Sequence, residues 1–120
     1  ICEEFYPFTK KQSRVSVDMS TLDKWHDKLP ERLIPEVLIK MDVQGYEDHV
    51  LKGAEGILPK ILGIQVELSS VPLYKGQVLF DKVMNYIMNA GFELYELVPG
   101  LRDRKSGRLY QFDGVFFKKK

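Results

Sequence analysis

"IKMDVQGYEDHVLKGAEGIL", residues 39–58, begins as an apolar run, meets an acid at Asp42 and an amide at Gln44, and turns at Gly45. A second acid, Glu47, follows. From there Tyr46, Val50, Leu51, Ala54, Ile57 and Leu58 recur at the spacing of one helix face. Upstream, Val37, Leu38, Ile39 and Met41 leave little alternation, as in a strand buried on both faces. The stretch is thus predicted to be a strand ending at Asp42 and a helix starting near Glu47 that Pro59 closes. Gly53 falls inside that helix at a cost of about 1 kcal/mol relative to Ala, so close packing against a neighbour is expected there.

Working outward, the same alternation of types repeats. Residues 13–18 place Val15 and Val17 on one side, the period of a half-buried strand. A short helix is expected next, with Ser20 or Thr21 as N-cap and Asp23 in its first turn. Pro30 and Pro35 bracket a loop. Residues 61–69 read as a second buried strand carrying Glu67 near its end, and residues 71–77 as a loop. Residues 78–90 form an amphipathic helix stopped by Gly91, with Leu79, Phe80, Val83, Met84, Ile87 and Met88 on its apolar face. Two strands follow, over 92–98 and 110–118, with a polar turn and no helix between them. They are expected to pair as an antiparallel hairpin. The fold class is therefore α/β, a mostly parallel sheet with a C-terminal antiparallel hairpin at one edge.

At 120 residues the chain is expected to be one domain with one core. Eighteen basic against seventeen acidic side chains leave a net charge of +1, with no electrostatic reason to expect nucleic acid or an anionic membrane as partner. A single cysteine, Cys2, excludes an intrachain disulfide and fits a reducing, cytoplasmic setting. No apolar stretch reaches the about 18 residues that span a bilayer. The abrupt start at Ile1 suggests a fragment of a longer protein.

In open α/β sheets, ligands sit outside the carboxyl ends of the strands. Asp42 and Glu67 both fall there, on consecutive strands, and the helix beginning near Glu47 points its positive end the same way. Acids at helix starts also cap free N–H groups, a reading that suits Glu47 better than Asp42. His26 and His49 lack partners at metal-ligand spacing, Ser69 and Ser70 lack a nucleophile elbow, and no phosphate-binding glycine loop is present. The residues alone describe an acidic crevice in part of an open sheet.

The opening stretch, extended to "LIKMDVQGYEDHVLKGAEGIL", resembles the signature of the FkbM family of S-adenosylmethionine-dependent methyltransferases, approximately K-x-D-V-x-G-x-E followed by x-x-V-L-x-G-A. Lys40, Asp42, Val43, Gly45, Glu47, Val50, Leu51, Gly53 and Ala54 match. "STLD" at 20–23, "QVELSSVPLYKGQ" at 65–77, "NAGFELYEL" at 89–97 and "YQFDGVFFKK" at 110–119 are similar to the family's other motifs in order, so the resemblance covers residues 15–120. It implies a class I methyltransferase (Rossmann-like) sheet whose N-terminal strands, with the glycine-rich loop and the ribose-binding acid, lie upstream. Residues 1–120 would then be a single partial domain, the C-terminal half of a methyltransferase.

The resemblance also implies the chemistry: S-adenosylmethionine as cofactor, and O-methylation of a small-molecule or sugar hydroxyl. Asp42 would sit beside donor and acceptor as the catalytic residue, orienting or deprotonating the hydroxyl. A carboxylate of pKa about 3.9 is a feeble base toward an alcohol, so orientation is the safer role. Asp42, Gln44 and Gly45 would line the cofactor, and Glu47, Glu67 and Ser69 the substrate pocket. With half the donor site upstream, the isolated chain is expected to be inactive and to self-associate through its open sheet edge. The alternatives are a non-catalytic α/β interaction module or a receiver-like signalling domain. The latter needs an acidic pair after an early strand, which Glu3 and Glu4 do not follow, and it lacks a terminal hairpin.

Overall fold

The computed structural model describes residues 13–31 and 37–120. Its elements are α1 (Leu22–His26), β1 (Leu38–Met41), α2 (Glu47–Lys52), a 3-10 turn (Leu58–Lys60), β2 (Gly63–Ser69), α3 (Phe80–Asn89), β3 (Phe92–Pro99) and β4 (Gln111–Lys118). The expected strand over 13–18 is not formed. Val15 and Val17 are 78% and 79% exposed, and two alternating valines with no pairing partner among the described residues cannot hold an extended segment in a sheet. Cys2, Glu3, Glu4 and Pro35 lie outside the described residues.

The short helix is where the sequence puts it. Thr21, in extended conformation, is the N-cap and accepts from the Lys24 N–H at 3.2 Å. Asp23 does more than favour the first turn. Its carboxylate accepts from the N–H groups of Gly56 at 3.0 Å and Ile57 at 2.9 Å, while its own N–H donates to the Gly53 carbonyl at 2.9 Å. These bonds tie α1 to the segment after α2. They also account for the shortness of α2, which was expected to run to Leu58 but stops at Lys52 with Gly53 as its C-cap. Gly53 is therefore not a helix-interior residue. The close packing expected of it is present, since a Cβ there would stand 3.3 Å from Thr21. Leu51, Ala54, Ile57 and Leu58 still reach the core, now through a helix followed by turns.

The sheet order is β1-β2-β4-β3. β1 and β2 are parallel, with Met41 opposite Val66. β4 runs antiparallel to both neighbours, so β1, β2 and β3 share one direction and only β4 opposes them. The expected pairing of the last two strands is present, with a bulge between Leu94 and Glu96. β4, however, lies inside the sheet and β3 at its edge. β2 is the most buried strand: Ile64, Val66 and Leu68 face the core with Phe112 and Phe116 of β4, under Val83 and Ile87 of α3. Gly63 permits this closeness, because a Cβ there would lie 2.6 Å from the Phe116 carbonyl oxygen.

β1 corrects the expectation of a strand buried on both faces. Only Met41 is buried, and Leu38 is 59% exposed, because no described residue pairs with its outer edge. Its continuous apolar run reads like a central strand, yet it stands at the margin of the described sheet. Among the described residues, no helix is long and apolar enough to cross a membrane.

Candidate active site at the ends of two parallel strands

β1 and β2 both finish on the same side of the sheet, and the turn after β1 and the loop after β2 meet there. The turn is built from two consecutive residues with positive φ, Gln44 at 51° and Gly45 at 98°. Gln44 pays a strain on the order of 1 kcal/mol for a conformation that L side chains seldom adopt. Gly45 is required for a second reason. A Cβ on it would stand 3.0–3.2 Å from the side chain of Tyr74, in the loop after β2. The turn and the loop are thus in contact.

Asp42 is exposed at the end of β1, and so is Gln44. Glu47 is 4% exposed, and its Oε1 accepts from the Gly45 N–H at 3.2 Å. This carboxylate closes the turn that precedes α2 rather than bonding an N–H of the helix. α2 spans six residues, too short for the strong end field expected of a longer helix. On β2, Glu67 is half-buried and accepts from Gln111 Nε2 at 3.0 Å. Burial raises its pKa above the ordinary glutamate value. The carboxylates of Asp42, Asp113 and Glu47 raise it further, against a smaller opposing effect of Lys40. Asp42 and Glu47 are therefore both brought close enough to act on Glu67.

Ser69 is buried at the end of β2, where its Oγ accepts from Gln77 Nε2 at 2.8 Å. The other end of that amide, Gln77 Oε1, accepts from the N–H groups of Leu73 at 2.9 Å and Tyr74 at 3.3 Å. Gln77, Tyr74, Gln111 and Asp113 fall within the family-like stretches at 65–77 and 110–119 but are not among the site residues the sequence suggests. A signal for the last pair exists: Gln65/Glu67 and Gln111/Asp113 alternate with apolar residues on two strands, which marks a polar face.

A cavity of about 710 Å³ opens on the other side of the turn, between residues 19–25, β1 and α2. Its wall includes Trp25, Met41, Val43, Tyr46, His49 and Val50, and none of Asp42, Glu47 or Glu67. The rings of Tyr46 and His49 stack with centroids 3.9 Å apart. The carboxylates at the strand ends and an apolar hollow thus flank one strained turn, an arrangement suited to holding a polar group against a larger ligand. Among the described residues, no group of three or more His, Cys, Asp or Glu side chains could hold a metal ion.

The methyltransferase FkbM domain family matches residues 3–94. The match includes the junction and the loop after β2 but stops short of β4, which the sequence resemblance had included. The chain is also similar to the 2-O-methyltransferase NoeI of Sinorhizobium fredii, 32% identical over 94 residues, which cover 78% of this chain and 37% of that protein. It thus spans well under half the length of that relative. No solved structure matches the chain. The domain match takes in more than half of the residues, including the Asp42–Glu47 turn, and the chain belongs to the FkbM methyltransferase family.

Proposed function

We propose that the full-length protein is an S-adenosylmethionine-dependent O-methyltransferase acting on a small-molecule or sugar hydroxyl. The carrying observation is the family match across a turn that sits at the carboxyl ends of two parallel strands. The name of the similar S. fredii protein supports transfer to oxygen. Residues 1–120 are then the C-terminal part of a class I, Rossmann-like domain. Its donor-binding strands lie elsewhere in the protein, adjoining the outer edge of β1. The isolated chain would self-associate through that edge. We place the protein in the cytoplasm, with neither nucleic acid nor membrane as partner.

The residues at the turn suit such a donor. Asp42 and Glu47 add negative charge beside Glu67 and raise its pKa, a charge excess that a cation would relieve, and S-adenosylmethionine would bring an electrophilic methyl group on a positively charged sulfonium. Gln44 and Gly45 offer a turn whose backbone a ligand can approach closely. In the transfer, a hydroxyl oxygen forms a bond to the methyl carbon as the carbon–sulfur bond breaks, and the hydroxyl proton leaves to a base or to water. Asp42 is exposed at the strand end and holds the hydroxyl in line. Glu47 and Glu67 shape the pocket, and Ser69 supports it from beneath through Gln77.

Isothermal titration with S-adenosylhomocysteine tests this reading. Micromolar binding by the full-length protein is expected, with far weaker binding by residues 1–120 alone. A full-length protein that binds none overturns it.

A further inference from the structure

We propose that Gln77 is a positioning residue that sets the shape of the Asp42–Glu47 turn by holding Tyr74 against Gly45. The function of that turn rests on the methyltransferase reading; the positioning itself does not.

Gln77 lies outside both strands and the following helix, yet each end of its amide is used. Nε2 donates to the buried Ser69 Oγ at the end of β2, which fixes the side chain to the sheet. Oε1 accepts two consecutive backbone N–H groups, those of Leu73 and Tyr74, and the Gln77 N–H donates to the Tyr74 carbonyl at 3.2 Å. One side chain thus closes the loop after β2 on itself and anchors it to the sheet. Backbone amides in such a loop otherwise need water, and a loop with water as its partner is free to open.

The beneficiary is Tyr74. Its backbone is held from both sides, and its side chain covers Gly45 so closely that a Cβ there would stand only 3.0–3.2 Å from it. Gly45 donates to Glu47, whose carboxylate is buried beneath the turn. A continuous line of contacts therefore runs from Ser69 through Gln77 and Tyr74 to Gly45 and Glu47. Gln44 and Gly45 hold positive φ angles that the chain does not favour at Gln44, and a neighbour that covers them opposes relaxation.

The chemistry of the amide makes the test selective. Gln77→Glu keeps an acceptor for both N–H groups, and the Ser69 hydroxyl can turn to donate to the new carboxylate. Gln77→Met keeps the length and loses every side-chain bond. Amide hydrogen exchange on the protein reads the outcome. In Gln77→Met, the Leu73 and Tyr74 amides and also the Gly45 amide should exchange about tenfold faster or more, while Gln77→Glu stays near wild type. Tyr74→Ala, which keeps the backbone bonds to Gln77, should loosen Gly45 but not Leu73. Unchanged Gly45 exchange in either Gln77→Met or Tyr74→Ala overturns the proposal. If Gln77→Met does not fold, Tyr74→Ala decides it alone.

Titration with S-adenosylhomocysteine adds the functional consequence. Affinity should fall about tenfold in Gln77→Met and in Tyr74→Ala and no further in the double variant, because both act through one contact. Additive losses overturn the proposal. A wild-type protein that binds no S-adenosylhomocysteine defeats the methyltransferase reading instead, and the exchange rates still decide the positioning role.

Discussion

Glu67 and Asp113 stand directly opposite each other on β2 and β4, two carboxylates where a sheet would ordinarily avoid like charges. Each has a glutamine to offset the repulsion. Gln111 donates to Glu67 at 3.0 Å, and Gln65 donates to Asp113 at 2.8 Å, so the amides and acids pair diagonally across the two strands. The arrangement holds Glu67 in place without neutralising it, and its pKa stays raised.

That raised pKa makes stability depend on pH in a defined direction. The folded state prefers neutral Glu67, so this preference contributes fully below the ordinary glutamate value. It is lost as pH rises through the higher folded value. Glu67→Gln keeps an acceptor for Gln111 and does not titrate. The variant should gain on the wild type as pH rises from about 4 to 7, ending on the order of 0.5 kcal/mol more stable, the scale of one cross-strand like-charge contact. Urea unfolding of both proteins across that range checks the sign.

If the proposed methyl transfer holds, Asp42→Asn in the full-length protein tests it, because the change removes the carboxylate at the end of β1 and keeps the side chain's size. Methyl transfer should drop about 100-fold in kcat, the scale expected when an acceptor loses its in-line position. Binding of S-adenosylhomocysteine should change little. Equal turnover by variant and wild type would remove Asp42 from the reaction.

Asp23 ties α1 to the segment after α2 through three hydrogen bonds, in two of which its carboxylate accepts from the N–H groups of Gly56 and Ile57. Asp23→Ala leaves both N–H groups without that acceptor and should cost about 2 kcal/mol. Denaturant unfolding would show a lower midpoint with the same slope.

Gly45→Ala meets two obstacles, the 98° φ angle and the side chain of Tyr74. A loss on the order of 2 kcal/mol is expected. Combining it with Tyr74→Gly relieves only the collision. The double variant should remain less stable than Tyr74→Gly alone, as thermal unfolding can measure.

The junction was legible because it is written in local terms. An apolar run, a glycine and a change of period to helical spacing are all visible within twenty residues, and so were Thr21 as a cap and Gly91, at φ 96°, as a helix stop. What escaped was set by distant partners. Asp23 looked like an ordinary first-turn acid, yet it bonds residues more than thirty positions away and shortens α2. Val15 and Val17 alternate as strand residues do, but alternation cannot supply a neighbour. Gln77 carries no chemical signature of its own, and only the folded loop shows where both ends of its amide go.

The place of β4 in the sheet bears on the order in which the protein is made. β2 and β3 leave the ribosome before the strand that joins them, and neither touches the other in the ladder without it. Phe116, fully buried, is made well after the β2 residues it packs against. While translation continues, Ile64, Val66 and Leu68 wait with one side of their strand unpaired, a template for a neighbouring nascent copy. Chaperone dependence should therefore concentrate in the interval between the emergence of residue 69 and residue 118.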